Sequence, residues 1–302
     1  MLLCRTIAEL RRQVAAERAA GCSIGFVPTM GAFHEGHLEL MRAAGRSCDV
    51  VVVSLFVNPT QFDRRADLER YPRVETDDAR LARSAGVEVL FAPSVQEIYP
   101  AGFATSVHVA GLGDVLEGQH RPGHFAAVCT VVAKLLSIVS PDVAVFGQKD
   151  AQQLAVIHRM VSDLNLPVRI EAHPTVREND GLAMSSRNRR LSPDDRRRAV
   201  ALPRALAAAA AAIERGERDW SDIRNGVFES AGGEVDFEYF EALDPSTFSP
   251  VDAFGSNAVL VAAAAHVGDV RLIDNLLAQP TLATEPPAGS ESDRYSTSKE
   301  AI

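Results

Sequence analysis

One run of apolar, mostly β-branched residues limits the possible folds more than any other feature of the sequence. The segment Val50–Val57 reads VVVVSLFV and carries apolar side chains at both odd and even positions. Successive side chains of a strand point to opposite faces of a sheet, so this segment is apolar on both faces. That pattern is typical of a central parallel strand covered by helices on both sides.

Strand-like and helix-like segments alternate through the first half of the chain. Further strands are predicted at 23–29, 87–91 and 142–146, and helices at 6–20, 38–47, 76–85, 124–139 and 151–164. This order indicates βαβ units and a doubly wound parallel α/β sheet. Ligands of such sheets bind at the carboxyl ends of the strands. The segments PTMGAFHEGH, VNPTQF and FGQKD all follow predicted strands, so we expect them to share one pocket.

The composition changes near residue 175. A helix start at Ser192–Asp195, an alanine-rich helix and strand-like segments at 235–242 and 258–265 predict a smaller α+β unit. We therefore predict a first domain over residues 1–175 and a C-terminal domain over 176–278. Residues 279–302 are rich in Pro, Ser, Thr and Glu, which predicts a disordered tail.

Charge and composition exclude several classes of protein. The net charge of −9 argues against a general nucleic-acid-binding protein, although it permits a local basic pocket. The N-terminus meets charge at Arg5 and Glu9 and does not read as a signal peptide, and no apolar run is long enough to span a membrane. Four scattered cysteines without CxxC spacing predict free thiols in a reducing cytoplasm.

Two histidines at a predicted helix start are the first candidate site. His34 and His37 flank Gly36 and lie three residues apart, so they face the same side of the helix. A helix N-terminus offers unpaired N–H groups and a partial positive charge, and imidazole donors beside it would complete a phosphate site. A metal-binding pair or a structural histidine is an alternative, although the usual helical zinc pair is spaced i, i+4.

Two later segments carry groups that suit phosphates. Lys149 follows a predicted strand, and Asp150 beside it could accept from a ribose hydroxyl or help to hold Mg²⁺. The string Met184–Arg187 offers two hydroxyls and a guanidinium after Gly181, which suits a loop closing over phosphates. A solvated surface lysine and an ordinary polar turn are the alternatives for the two segments taken alone.

Six segments in order resemble the pantothenate synthetase family, a member of the HxGH nucleotidyltransferase superfamily. They span about residues 25–190 and read PTMGAFHEGH, VNPTQF, DLERYPR, LEGQHRPGHF, FGQKD, and TVREND followed by GLAMSSRN. The resemblance implies a Rossmann-like first domain, a smaller C-terminal domain that acts as a lid, and a cytoplasmic homodimer. It implies condensation of (R)-pantoate with β-alanine to pantothenate through a pantoyl-adenylate, with ATP and Mg²⁺, releasing AMP and pyrophosphate.

The resemblance also implies roles for individual residues. His37, His34 and Lys149 would be catalytic, Gln61 and Gln153 would bind pantoate, and Gln61 would also bind β-alanine. From their side chains alone, Asp77 and Asp78 could place carboxylates near Mg²⁺, and a charged first helix turn explains them equally well; Arg121 and His124 are weaker candidates. The implied ATP site comprises Met30, Gly31, Ala32, Phe33, His34, Glu35, Gly36, His37, Gly147, Gln148, Lys149, Asp150, Val176, Met184, Ser185, Ser186 and Arg187.

The chain departs from the family pattern in and just after the fifth of these segments, FGQKD. It reads FGQKDAQQ where the family usually reads FGEKDYQQ, so Gln148 replaces a glutamate and Ala151 replaces a tyrosine. The lysine and the aspartate remain. We expect an altered affinity or turnover and a small void beside Ala151. The alternatives are a catalytically weak nucleotide-binding paralogue and another HxGH nucleotidyltransferase.

Overall fold

The computed structural model of the protein describes residues 1–62, 65–231 and 233–281. The strands are β1 Leu2–Cys4, β2 Ile24–Thr29, β3 Val50–Leu55, β4 Val89–Phe91, β5 Val143–Gly147, β6 Arg169–His173, β7 Asp236–Leu243, β8 Val259–Val267 and β9 Val270–Ala278. The helices are α1 Ile7–Ala19, α2 Glu35–Ser47, α3 Arg65–Arg70, α4 Glu75–Ser84, α5 Val95–Ile98, α6 Glu117–His120, α7 His124–Val139, α8 Ala151–Asp163, α9 Pro193–Arg198, α10 Ala201–Glu214 and α11 Trp220–Ala231.

The first six strands form one parallel sheet in the order β1-β4-β3-β2-β5-β6. Strand β3 lies inside this sheet between β2 and β4, and its residues 50–54 are buried. Apolar side chains on both faces allow this burial, because helices cover both faces of a parallel sheet. The predicted α/β class and the central position of this strand are confirmed.

The strand order reverses between β2 and β5, which lie side by side although β3 and β4 separate them in sequence. Connections leave these two strands in opposite directions and open a crevice at their carboxyl ends, where α/β sheets bind ligands. The β2–α2 turn carries the HEGH segment, and the β5–α8 turn carries the QKD segment. The topology therefore brings two of the predicted site segments to one crevice.

The C-terminal part contains the predicted small α+β unit. Strands β7, β8 and β9 form an antiparallel sheet, and α10 packs against β8 and β9. The alanines of α10 and β8 are mostly buried, and their small side chains let the helix approach the sheet closely. One buried core lies within residues 182–278, whereas the two cores of the first sheet lie within residues 4–161.

The sequence missed three strands of the two sheets. β1 and β6 are the outermost strands of the parallel sheet, and β6 carries alternating polar residues that hide its strand character. β9 completes the small sheet.

The domain limits 1–175 and 176–278 stay a proposed division of the chain. Of the predicted C-terminal tail, residues 282–302 lie outside the described residues. Within the described part of the chain, no helix is long and apolar enough to cross a membrane.

Candidate active site

A cavity of about 330 Å³ opens at the carboxyl ends of β2 and β5 and extends to the C-terminal sheet. This volume falls within the range of small-molecule sites, roughly 300–1,000 Å³. Most of the site residues predicted from the sequence line it: Met30, His34, Gly36, His37, Gln61, Gly147, Lys149, Asp150, Gln153, Val176, Met184, Ser185, Ser186 and Arg187. The structure therefore brings segments separated by more than a hundred residues into one pocket.

Other predicted residues lie behind this lining or outside it: Gly31, Ala32, Phe33, Glu35, Gln148, Asp77 and Asp78. Gln148 is exposed and is not among the residues that line the cavity. Ala151 lines the cavity and packs against a small apolar cluster with Phe248 and Ala262.

A buried carboxylate shapes the turn between β2 and α2. The N–H groups of Ala32 and Phe33 donate to Asp78 Oδ2 and Oδ1 at 2.9 and 2.7 Å, and Asp78 is only 2% exposed. Ala32 has a φ of 54°, a left-handed conformation that alanine rarely adopts. A Cβ at Gly31 would lie 2.6 Å from Leu55 Cδ1 and 2.9 Å from Asp78 Oδ2. Asp78 thus holds a tight turn whose conformation few other sequences could adopt.

The two histidines form a facing pair at the first turn of α2. Their ring centroids are 4.1 Å apart, and His34 occupies the position just before the helix. The His34 N–H donates to His37 Nδ1 at 3.4 Å. This bond assigns Nδ1 of His37 as an acceptor, so the proton of the neutral ring lies on Nε2, the donor that the ring can offer to a ligand.

Burial keeps both imidazoles neutral at pH 7. It lowers the pKa of His34 to about 4, with help from the positive charges of Lys149 and Arg189. Burial also lowers the pKa of His37 to about 3, with further contributions from His34, Lys149 and Arg189. A bound polyanion would offset the positive charges of Lys149 and Arg189. Its binding should therefore raise the pKa values of His34 and His37. The site is electrostatically set up to receive negative charge.

Two further details of the HEGH segment concern space and hydrogen bonding. A Cβ at Gly36 would lie 2.9 Å from His34 Cε1 and 3.6 Å from Met184 Cβ. The glycine therefore makes room for the His34 ring. The buried Nδ1 of His34 has no hydrogen-bond partner among the described residues. An unpaired buried polar atom beside a cavity indicates a site for a ligand atom.

A hairpin brings the MSSR segment to the same cavity. The Met184 N–H donates to the Val176 carbonyl at 2.9 Å, and Gly181 makes the turn between them with a φ of 92°. Ser185 Oγ then accepts from the Arg187 N–H at 3.2 Å and caps a short 3-10 turn. This arrangement places two hydroxyls and a guanidinium opposite the start of α2.

Gln61 is held in place through its backbone and its side chain. Its Oε1 accepts from Asn58 Nδ2 at 3.0 Å, which leaves the amide N–H groups as the donors that it can offer. Its carbonyl accepts from Arg121 Nη2 at 2.9 Å and lies 3.2 Å from His124 Nδ1. Arg121 and His124 line the cavity and also fix the turn that carries Gln61.

An apolar wall lies beside these polar groups. One face of α7 lines the cavity with Val128, Val131, Val132 and Leu135. Their spacing of three, one and three residues follows one side of a helix. The cavity can therefore hold a ligand that has both hydroxyl or carboxyl groups and a branched hydrocarbon.

Asp77 and Asp78, which the sequence places near Mg²⁺, lie outside the lining of the cavity, and Asp78 has a structural role. Both carboxylate oxygens of Asp78 are bound to backbone N–H groups, and the Asp77 side chain is 68% exposed and lies 3.8 Å from Arg80. Across residues 1–62, 65–231 and 233–281, no cluster of three or more His, Cys, Asp and Glu side chains could hold a metal ion. Of the three aspartates considered for Mg²⁺, Asp77, Asp78 and Asp150, it is Asp150 that lines the cavity.

Sequence reasoning missed several residues that build the site. Tyr71 lines the cavity and hydrogen-bonds Ser186, and Arg189 Nη2 donates to the Phe33 carbonyl at 3.2 Å. Tyr71 lies within a segment that carries the family resemblance, but its side chain gives no signal of its own. Arg189 is one of several arginines in a row, so only the structure separates it from its neighbours.

Buried charges join the two parts of the molecule at the rim of the cavity. Arg271 of β9 donates from Nη1 and Nη2 to the two carboxylate oxygens of Glu117 at 2.8 and 2.6 Å. Tyr239 of β7 donates to Glu117 Oε1 at 2.9 Å, and Arg271 also pairs with Glu238 at 2.5 Å. These contacts hold the C-terminal sheet against the first part of the chain and close one side of the cavity.

The fold and the pocket define an α/β enzyme built to bind a nucleotide polyphosphate. A helix N-terminus, neutral imidazoles, Lys149 and the hydroxyls and guanidinium of the 184–187 loop meet at the crevice of a doubly wound sheet. Each of these groups is a donor or a positive charge, which is what phosphate oxygens require.

Comparisons with known proteins identify the family. The family model for pantoate–β-alanine ligase matches residues 2–277. The pantothenate synthetase of Pelotomaculum thermopropionicum is 52% identical over 279 residues, covering 92% of this chain and 99% of that protein. The crystal structure of pantothenate synthetase from Thermus thermophilus superposes with a TM-score of 0.86 at 45% identity and covers 91% of this chain and 99% of that one.

A third relative was solved with ligands. It is the pantoate–β-alanine ligase from Francisella tularensis, in complex with β-γ ATP and β-alanine, with a TM-score of 0.72 and 34% identity over 92% of this chain and 97% of that one. The chain belongs to the pantoate–β-alanine ligase family, and the resemblance seen in the sequence is confirmed. It is an ATP-dependent ligase.

Proposed function

We propose that the cavity catalyses two successive steps, the adenylation of (R)-pantoate by ATP and the capture of the pantoyl-adenylate by β-alanine. The observation that supports this most is the meeting of His34, His37, Lys149 and the 184–187 loop in one pocket. In the first step a pantoate carboxylate oxygen attacks the α-phosphorus, and pyrophosphate leaves. In the second step the β-alanine amine attacks the acyl carbon, and AMP leaves with that oxygen.

The residues at the helix start would hold the triphosphate. The N–H groups of the first turn of α2, Lys149, and the donors of the 184–187 loop converge on the cavity from three sides. Met30, Gly147 and Val176 line the cavity. By the family resemblance they would contact the nucleoside, and the backbone of Val176 would contact the adenine. Placement of donors before the reaction stabilises charge that develops in the transition state at little reorganisation cost.

His37 would act first as a hydrogen-bond donor. Its pKa of about 3 in the free protein means that it enters the reaction neutral, with its proton on Nε2. The approach of the triphosphate raises this pKa, which allows the ring to carry more positive charge as pyrophosphate leaves. His34 beside it offers its unpaired Nδ1 to a ligand donor such as a ribose hydroxyl.

Gln61 and Gln153 would orient pantoate, and Gln61 would also contact β-alanine. Both line the cavity, and the amide donors of Gln61 suit the hydroxyl and carboxylate oxygens of pantoate. The apolar wall of α7 suits the two methyl groups on the central carbon of pantoate. Polar positioning groups beside an apolar wall would discriminate pantoate from a linear hydroxy acid.

Mg²⁺ would enter with the triphosphate. Mg²⁺ commonly binds through substrate phosphates, waters and only one or two carboxylates. Asp150 lies in the cavity with its Oδ1 3.9 Å from Lys149 Nζ, so it is the carboxylate that fits this role. When bound, the ion would neutralise phosphate charge, and the residues of the chain would align the reacting groups.

The proposal includes a cytoplasmic homodimer, which rests on the family resemblance. Sedimentation velocity would test the dimer.

The alternative of a catalytically silent paralogue has weak support. Gln148 lies outside the cavity lining, and both histidines, Lys149 and the MSSR segment are in place. Transfer of ¹⁸O from labelled pantoate carboxylate into AMP tests the adenylate. Unlabelled AMP formed together with pantothenate would contradict it.

A further inference from the structure

The turn that carries Lys149 is held from the other side of the cavity by Asn275 of β9. Asn275 Nδ2 donates to the carbonyl of Gln148 at 3.0 Å and to the carbonyl of Lys149 at 2.8 Å. Gln148–Asp150 form a single 3-10 turn between β5 and α8. One amide group thus uses both of its hydrogens on two successive carbonyls of a three-residue turn.

The backbone of Asn275 is held in place on both sides of its side chain. Its backbone N–H donates to Asp274 Oδ1 at 2.8 Å, and its carbonyl accepts from Arg177 Nη2 at 3.3 Å. Arg177 binds Asp274 through two bonds of 2.7 and 3.0 Å, and Asp274 is 3% exposed. A residue whose backbone is held by a buried ion pair presents its side chain from a fixed starting point and can position the group that the side chain contacts.

The same ion pair reaches the other nucleotide-binding segment. Arg177 follows Val176, and its Nη1 also donates to the Gly181 carbonyl at 3.0 Å. Strand β9 is therefore bonded both to the hairpin that presents the 184–187 loop and to the turn that presents Lys149. The strands that precede these two phosphate-facing segments, β5 and β6, pair with each other, and the C-terminal sheet adds a second link between the segments themselves.

We propose that Asn275 is a positioning residue for adenylation, which holds the Lys149 turn in register with the nucleotide and couples it to the C-terminal sheet. This inference rests on the proposed role of Lys149 at the triphosphate. Lys149 has a long side chain that is 17% exposed, and two backbone bonds at its base fix where that side chain starts. A displacement of about 1 Å at a reacting group can lower a rate by roughly 10²-fold.

The test is the single-turnover rate of pantoate-dependent pyrophosphate formation in Asn275→Ala and Asn275→Asp. Both variants lose the Nδ2 donor, and the aspartate keeps the size of the side chain. We expect a rate at least about tenfold lower in both, with kcat/KM for β-alanine unchanged because the amine enters after adenylation. Leu277→Ala is the matched control, since Leu277 lies on the same strand, is 60% exposed and should leave the rate as in wild type.

A double-mutant cycle with Lys149→Ala shows whether Asn275 acts through the lysine. We expect Asn275→Ala to lower the rate by less than about twofold in the Lys149→Ala background, because the group that it positions is already gone. If Asn275→Ala does not fold, Asn275→Asp takes its place in the cycle. Full loss of rate on top of Lys149→Ala, or wild-type rates in both Asn275 variants, would overturn the proposal. Wild-type protein without pantoate-dependent pyrophosphate would instead overturn the proposed function.

Discussion

Replacing Asp78 by asparagine separates a structural role of this carboxylate from a metal-binding role. The carboxylate accepts from Ala32 N–H at 2.9 Å and from Phe33 N–H at 2.7 Å in a site that is 2% exposed. Asparagine can accept only one of these bonds and turns its NH₂ group toward the other N–H. A buried donor left unpaired costs about 1–3 kcal/mol, and hydrogen bonds to a charged group contribute about 1.5–3 kcal/mol.

We therefore expect Asp78→Asn to lower the free energy of unfolding by about 2–3 kcal/mol. For a chain of this size that corresponds to a fall of the unfolding temperature by roughly 4–10 °C. Differential scanning calorimetry in EDTA measures this directly, without metal. The matched control is Asp77→Asn on the next residue, whose side chain is 68% exposed and which should change stability by less than about 0.5 kcal/mol.

The adenylation rate should fall in parallel, because the carboxylate holds Ala32 in its left-handed conformation at the entry to the HEGH segment. Raising Mg²⁺ should not restore that rate, since no metal contact has been lost. The reasoning would be refuted if Asp78→Asn unfolded at the wild-type temperature in EDTA and recovered its rate at high Mg²⁺. The carboxylate would then be a metal ligand, as the sequence alone suggested.

Three further changes test other parts of the site. His37→Ala should lower the adenylation rate by about 10²–10³-fold in a stopped-flow pyrophosphate assay, and near-wild-type turnover would remove His37 from the mechanism. Glu117→Ala leaves Arg271 without its two-bond partner and should lower the free energy of unfolding in urea by roughly 3 kcal/mol; a change under about 1 kcal/mol would contradict a stabilising role. The pKa of His34, about 4 in the folded chain, lies below its unfolded value of about 6.5, so the unfolded state binds more protons and stability should fall as pH drops from 6.5 toward 4. Between pH 7 and 5, the unfolding temperature of His34→Gln should fall less steeply than that of the wild-type protein. Equal slopes for the two proteins would contradict a contribution of His34 to this pH dependence.

The central part of the fold could be predicted because burial on two faces leaves a clear pattern. Val50–Val53 are apolar at every position because both faces of this strand are buried inside the parallel sheet, and this pattern is visible without any structure. Edge strands carry no such requirement. β1 has only three residues, and β6 reads RIEAH with mostly half-exposed side chains, so neither could be distinguished from a loop.

The site segments could be predicted, but the division of labour among their side chains could not. Asp77 and Asp78 are adjacent and chemically identical, and the rotation of about 100° per helical residue turns one to solvent and the other to the Ala32 turn. Such differences depend on neighbours distant in sequence, which spacing alone does not reveal.

Pantoate-dependent pyrophosphate release, followed with and without β-alanine, tests the central claim most directly. Purified protein is mixed with ATP, Mg²⁺ and (R)-pantoate, and pyrophosphate is measured over time. We predict little more than one equivalent per site without the amine, because the adenylate stays bound, and then steady formation of AMP and pantothenate once β-alanine is added. Protein that binds ATP but releases no pantoate-dependent pyrophosphate would contradict the account.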